Sequence, residues 1–514
     1  MRLRRVLFPV FLLLILAGSL RLAGLDFGFP RLLHPDEPTA VRRVLAFARG
    51  SLNPRWFSMP SFYLYLLHFS TKALNSLGLA GGTTFIYLVG RTWSATLGTF
   101  TVILAFLTGR SLYGNRAGIG AALLLAVLPL HMLLSHYATV DVTVTFFIVL
   151  AFAAASRVLE SGKPGWYLAG GIAAGLAAGT KYNGFLAVLP LAAAHFLAGK
   201  RRARGGWLGL ALATAAAVFF LTTPFILGET EIFWRDLQGQ SRYLMKTGHG
   251  PIFINTSPGL SYQLLYNLYH AGGAGFWLLA VAGAAGCLAR RRREDWLLLA
   301  WIVPYLVLIS IPTVKFARFL LPLLPFLCLG AGALLEGSPG RRRSSRWWGL
   351  TLAAVVFWNL VVSLGWLRTL AGPDPRIAAN RWLRENLPAG ARVGQIKTET
   401  GLVFLDDPPL HEPGLKAELV RYPRLLPALE DKPDYLVVSD FDYRQILRLG
   451  PHYDSIRREL WLAFLAEEKG YRLLRSFQRP PALGPLVFGG SFPPHDMKYN
   501  WPLVLVFARG EKGQ

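Results

Sequence analysis

The residues of this 514-residue chain best suited to chemistry are in His34-Pro35-Asp36-Glu37-Pro38. Two adjacent carboxylates in a proline-bounded turn can divide labour, one accepting a proton while the other orients it or binds a metal ion. The same pair also suits the start of a helix near Pro38, where acids favour the dipole, and composition leaves both readings open. Asp141 closes Ser135-His136-Tyr137-Ala138-Thr139-Val140-Asp141 at the head of an apolar run, either as a site acid or as an N-cap. His136 is a ligand contact or an ordinary interfacial histidine. Lys181 lies in Gly179-Thr180-Lys181-Tyr182-Asn183-Gly184, where small neighbours let backbone and cation approach a phosphate. It equally suits a lysine snorkelling to a membrane surface. Lys315-Phe316-Ala317-Arg318 forms a second cationic cluster.

The elements that must position these groups are apolar. Hydrophobic residues make up 53% and charged residues only 16% of the chain, with a mean hydropathy of +0.38. Soluble proteins carry about 25% charged residues, which excludes an ordinary water-soluble or disordered chain. The net charge is +25, but residues 370–514 hold 20 of the 54 basic and 18 of the 29 acidic residues. The first 369 residues therefore hold 34 basic and 11 acidic residues, or +23. Basic clusters between apolar runs of about 20 residues mark a polytopic membrane protein and not a nucleic-acid partner. Eleven runs are expected to span the bilayer: 6–25, 84–109, 117–135, 141–158, 166–180, 184–199, 207–227, 272–289, 296–312, 319–336 and 347–367. Every second connection is short and basic, which places the N-terminus in the cytoplasm and residues 370–514 outside, at a plasma membrane. The first run reads as a retained anchor. Cys287 and Cys328 lie within apolar runs and imply no disulfide framework.

The acids sort by side on this topology. Glu160, Glu294, Asp295 and Glu336 sit in or beside cytoplasmic basic loops as local ion-pair partners. Asp26, Asp36, Glu37, Asp141, Glu229, Glu231 and Asp236 are all outward, which predicts an outward-facing polar site. The outer loops 26–83 and 228–271 are long, and 38–49 and 61–77 alternate as interfacial amphipathic helices do. After a linker at 371–375, the tail predicts helices at 377–386 and 455–468 and strands at 392–396, 435–438 and 503–507. It is a small α/β domain without a phosphate-binding glycine pattern, metal-ligand spacing or nucleophile elbow.

An Asp-Glu pair after the first span, an Asp heading the fourth, a Thr-Lys turn after the fifth and an Arg before a Pro-x-x-Pro span occur here in order. Together they resemble the GT-C superfamily of polytopic glycosyltransferases. The nearest group uses polyprenyl-phosphate sugars and includes the family 39 protein O-mannosyltransferases and bacterial lipid A aminoarabinose transferases. The resemblance implies a mainly α, multi-pass transmembrane glycosyltransferase domain over 1–369, its catalytic first outer loop at about 26–83, and an extracytoplasmic α/β domain over 370–514. It further implies an inverting hexosyl- or pentosyltransferase that moves a sugar from a polyprenyl-phosphate donor to a lipid, glycan or protein hydroxyl. Asp36 would be the base and Glu37 its catalytic neighbour. Lys181 and Arg318 would neutralise the lipid phosphate, with His34, His136, Tyr182 and Lys315 lining the site. Asp141 would shape it, and Glu37 and Asp141 are where a divalent metal ion would bind, no other cofactor being implied. His136 stands where members often carry Arg, and His34-Pro35 is more like the mannosyltransferases that build glycolipid anchors. Trp347-Trp348 is followed by Gly349, unlike the Trp-Trp-Asp motif of oligosaccharyltransferases. The runner-up class is a polyprenyl-linked sugar flippase or polysaccharide transporter, but the inverted repeat such a fold uses is not legible here.

Overall fold

The computed structural model describes residues 4–29, 33–47, 49–79, 81–199, 205–247, 250–336, 342–396, 418–490 and 492–510. The basic groups expected at 2–5, 200–204 and 341–343 fall outside the described side chains. The chain forms two compact units. One comprises Met1–Leu25, Thr39–Lys246 and Ser257–Leu367; the other comprises Asp26–Pro38, Thr247–Thr256 and Arg368–Gln514.

Among the described residues the first unit contains helices and no strand, and each of the eleven apolar runs falls largely on helix. Four helical stretches among the described residues are long and apolar enough to cross a bilayer, and others are shorter apolar helices. Small residues set how closely they pack. A Cβ on Gly171 would lie 2.5 Å from the Ala211 carbonyl oxygen, and one on Gly175 would lie 2.6 Å from that of Ala215. The Gly-x3-Gly face of helix Pro164–Thr180 thus lets helix Gly205–Thr222 approach backbone to backbone. The run at 117–135 is broken in two, Asn115–Val127 and Pro129–Leu134. Pro129 forces Leu128 into an extended conformation, at φ −69° and ψ 119°, and ends the first helix. The carbonyls so released are satisfied by Arg21, whose guanidinium donates to Leu125 O at 3.1 Å and Ala126 O at 2.9 Å. Arg21 is fully buried, a structural cap within the first apolar run.

Helices Glu37–Phe47 and Phe62–Ser76 occupy the two amphipathic stretches of the first outer loop. The second outer loop contains a helix that the sequence reading missed, Thr230–Arg242.

The second unit is α/β. Strands β1 Arg392–Ile396, β2 Glu418–Tyr422, β3 Tyr435–Ser439, β4 Tyr471–Phe477 and β7 Val504–Arg509 form one sheet in the order β2-β1-β3-β7-β4. The short pair β5 Ala482–Leu483 and β6 Leu486–Val487 stands apart. β1 runs parallel to β2 and β3, whereas β7 is antiparallel to β3 and β4. Alternation along β3 and β7 sends Leu436, Val438 and Phe507 to one face, with Trp461 and Phe464, and Val437, Val504 and Val506 to the other, with Ala379 and Leu383. Helix Pro375–Asn386 covers the latter face, opened by Asp374, which accepts from Arg376 N at 2.8 Å.

Candidate active site

The group of the first unit that the sequence places outward grows from helix ends. Helix Val140–Ser161 has Thr139 as its N-cap, so Asp141 lies in the first turn and is not the cap itself. Its buried carboxylate receives Lys181 Nζ at 2.8 Å. Helix Pro164–Thr180 stops at Thr180, and Lys181 turns extended, φ −152° and ψ 133°, before the 3-10 turn Tyr182–Ala187. Gly184 N–H closes that turn on Lys181 O at 2.8 Å. A lysine at a helix C-terminus is favoured by the dipole, and Asp141 fixes its direction. Lys181 Nζ also lies 5.4 Å from the Phe319 ring, within the 3-10 helix Ala317–Leu323 that carries Arg318. The fold thereby brings the two cationic segments together, though 130 residues separate them in sequence. Arg318 is half-buried, its guanidinium over Phe316.

Three sequence candidates of this unit are engaged internally. Lys315 Nζ donates to Ser257 O at 2.8 Å and lies over the Tyr262 ring, and burial holds its ammonium below the ordinary lysine range. Tyr182 Oη donates to Phe57 O at 2.8 Å. His136 is fully buried, with Nδ1 2.9 Å from Met132 O and Nε2 3.0 Å from Ala23 O. Both ring nitrogens face backbone carbonyls, and the neutral imidazole donates its one N–H to one of them.

In the second unit, His34, Asp36 and Glu37 share one turn. Asp36 N–H donates to His34 Nδ1 at 3.3 Å, and the buried His34 ring stands edge-on to Tyr499 with centroids 5.2 Å apart. The preceding carbonyl of Leu33 accepts from Arg376 Nη1 at 3.1 Å. These contacts group residues 26–38 with the tail fold, whereas the sequence reading placed them with the membrane domain. Glu37 opens helix Glu37–Phe47 and is wholly buried, while Asp36 before it is half-buried. Of the two carboxylates, Asp36 is the one a soluble group can reach.

Sequence reasoning left Glu229 and Asp236 as undifferentiated outward acids. Asp236 Oδ2 accepts from Phe57 N at 2.8 Å and Glu229 Oε1 from Asn53 Nδ2 at 2.8 Å, so both fasten the first outer loop to the second. Nothing in the local sequence announces this, because each partner lies more than 170 positions away. Asn183 Nδ2 donates to Tyr305 Oη at 3.0 Å, bracing the Lys181 turn from helix Arg293–Ser310. Among the described residues no three His, Cys, Asp or Glu side chains gather as a metal-holding group.

The model of the dolichyl-phosphate-mannose-protein mannosyltransferase family matches residues 76–226. No curated protein sequence matches the chain. The fold is similar to that of the archaeal oligosaccharyltransferase AglB from Archaeoglobus fulgidus, solved with an inhibitory peptide and a dolichol-phosphate: TM-score 0.55, 14% identity, 96% of this chain and 77% of that one. It is likewise similar to ArnT from Cupriavidus metallidurans bound to undecaprenyl phosphate, with a TM-score of 0.52 and 17% identity over 98% of this chain and 97% of that one. The resemblance read from the sequence holds at the level of the fold: the chain shares the helical architecture of these two structures, with four helical stretches long and apolar enough to cross a bilayer and a small C-terminal α/β unit.

Proposed function

From a GT-C fold we propose that this chain is an inverting glycosyltransferase, moving a sugar from a polyprenyl-phosphate carrier to a hydroxyl group on the outer membrane face. The observation that carries the reading is the Asp141–Lys181 pair, with the Arg318 segment beside it through Phe319. A sugar on a lipid phosphate already has a good leaving group, which needs its charge neutralised and no general acid. Lys181 and Arg318 supply that charge, and Asp141 holds Lys181 in place.

Asp36 takes the acceptor's hydroxyl proton. The acceptor oxygen forms its bond to the anomeric carbon as the carbon–phosphate-oxygen bond breaks, and the polyprenyl phosphate departs with that electron pair. One displacement inverts the anomeric centre, so one carboxylate acts as base where an inverting hydrolase needs two. Glu37, buried at the helix start, fixes the turn that presents Asp36. No step is routed through a metal ion. The acceptor is a glycolipid, a glycan or a protein hydroxyl, in that order of preference. The N-terminus faces the cytoplasm and the tail the outside of the plasma membrane.

The test is transfer from radiolabelled polyprenyl-phosphate sugars to membrane extracts by the purified chain. Label appearing on an extract component with inverted anomeric configuration supports the reading. Retention of configuration, or no transfer from any such carrier, overturns it.

A further inference from the structure

The second unit contains a cleft that the transfer chemistry does not use. β1, β2 and β3 are parallel in the order β2-β1-β3, so the two strands that follow β1 in sequence lie on opposite sides of it. Open α/β sheets bind ligands in the crevice outside the carboxyl ends of such strands. A cleft of about 500 Å³ lies there, reached by Ile396 at the end of β1, Pro423 after β2 and Phe441 after β3. That volume is within the range of small-molecule sites, roughly 300–1,000 Å³. One wall is the turn Gly250–Phe253, contributed from far upstream in the sequence. Arg448 Nη2 anchors this wall, donating to the carbonyls of Pro251, Ile252 and Ile254 at 3.1, 3.1 and 3.0 Å.

The lining selects among ligand classes. Helix N-termini at such crevices commonly hold phosphate. Here helix Asp440–Leu449 carries Asp440 and Asp442 in its first turn, and Asp442 Oδ2 accepts Ser439 N–H at 2.7 Å, so an anion meets carboxylates. The charged residues of the lining are Arg424, Arg457, Asp442 and Asp454, two of each sign, and an ion of either sign gains little. Around these polar groups the lining is mainly apolar, with Ile252, Leu425, Ile446 and Leu460 among it, so a ligand meets both kinds of surface. The Phe441 and Trp461 rings supply apolar faces. Carboxylate, amide and guanidinium groups beside aromatic rings suit an uncharged ligand rich in hydroxyl groups with one apolar face.

We propose that the α/β unit binds a neutral saccharide in this cleft. Identifying that saccharide as a segment of the acceptor rests on the proposed transfer activity, whereas the binding itself does not. The test uses the full chain in nanodiscs with maltotriose, mannotriose and cellotriose as probes, read by saturation-transfer NMR and calorimetry. Trigalacturonate and a serine-containing hexapeptide are the charged and peptide controls. Ile456, at the mouth and 79% exposed, is replaced in Ile456→Trp to obstruct entry without disturbing packing, and Gln445→Ala removes a polar contact. At least one neutral trisaccharide is expected to bind, with Kd raised about tenfold or more in both variants. The proposal is overturned if no neutral trisaccharide binds at roughly 10 mM, if Ile456→Trp binds like wild type, or if only the uronate or peptide binds. Saccharide binding without transfer would remove the transferase reading and leave the cleft standing; transfer without saccharide binding would do the reverse.

Discussion

Two ion pairs in the helical unit show how the same chemistry serves different ends. Asp295 is wholly buried and receives Arg290 Nη2 at 2.7 Å, Arg290 Nε at 3.3 Å, Tyr113 Oη at 3.2 Å and Arg292 N at 3.2 Å. That carboxylate is saturated and joins the ends of three helices, Thr83–Tyr113, Leu268–Arg290 and Arg293–Ser310. The Asp141–Lys181 pair is also buried on its acidic side, but the lysine donates a single hydrogen bond and keeps 28% of its side chain exposed. A closed network resists change because breaking it strands a buried charge. An ammonium with donors to spare can take a second anion without losing the first. The closed pair belongs to the basic end that the sequence assigns to the cytoplasm, and the open pair to the end where the outward acids collect.

Breaking the closed pair has the largest expected effect. Asp295→Ala leaves the half-buried Arg290 and the Tyr113 hydroxyl without their partner and costs about 2–4 kcal/mol of stability, read by denaturant titration in bicelles. Transfer per folded molecule stays near wild type, and a large stability loss at Asp141 with none at Asp295 would reverse the assignment. At the open pair, Lys181→Met is expected to weaken polyprenyl-phosphate binding about ten- to hundredfold and, because it strands the buried Asp141 carboxylate, to lower the unfolding midpoint, though less than Asp295→Ala. Lys181→Arg recovers most of that affinity, and unchanged binding in Lys181→Met would remove the lysine from the phosphate site. His136→Ala, which deprives one of the carbonyls Met132 O and Ala23 O of its donor, costs about 1–3 kcal/mol and leaves KM for the donor unchanged. A raised KM would return the histidine to the ligand.

The smallest effect concerns pH. Burial lowers the Lys315 pKa, so its charged form is penalised in the folded state. The penalty is fully present below the folded pKa and is relieved as pH rises through it towards the ordinary value of 10.5. Stability from this group therefore increases slightly with alkalinity. Lys315→Arg, which stays charged through this range, should lose that rise, and coincident stability–pH profiles in the two proteins would show that Lys315 does not carry it.

Much of this was legible in the sequence because the signals were local. Strand β1 lies where Arg-Val-Gly-Gln-Ile predicts it, and the amphipathic stretches of the first outer loop became Glu37–Phe47 and Phe62–Ser76. Strand β4, Tyr-Arg-Leu-Leu-Arg-Ser-Phe, escaped notice because it is an edge strand, exposed along most of its length and without apolar alternation. Helix Asp440–Leu449 was missed although Ser439-x-x-Asp442 forms a capping box, a signal that could have found it. The break at Leu128 was announced by Pro129, but a continuous apolar run concealed it. The candidate acids and cations stood out by type and neighbours. Their division into closed and open pairs did not, since Asp141 meets Lys181 across 40 residues and Tyr113 meets Asp295 across 182. Pairings of that range are fixed by packing, which residue periodicity does not encode.

The central claim is that Asp36 is the base of a glycosyl transfer. The direct measurement is single-turnover transfer by Asp36→Asn beside wild type, with carrier-lipid binding measured on the same preparations. Asparagine keeps the size of the side chain and removes its basicity. The expected result is a rate loss of about a thousandfold with unchanged lipid affinity. Turnover within about threefold of wild type would contradict it and leave the His-Pro-Asp-Glu turn as a helix start with no part in the chemistry.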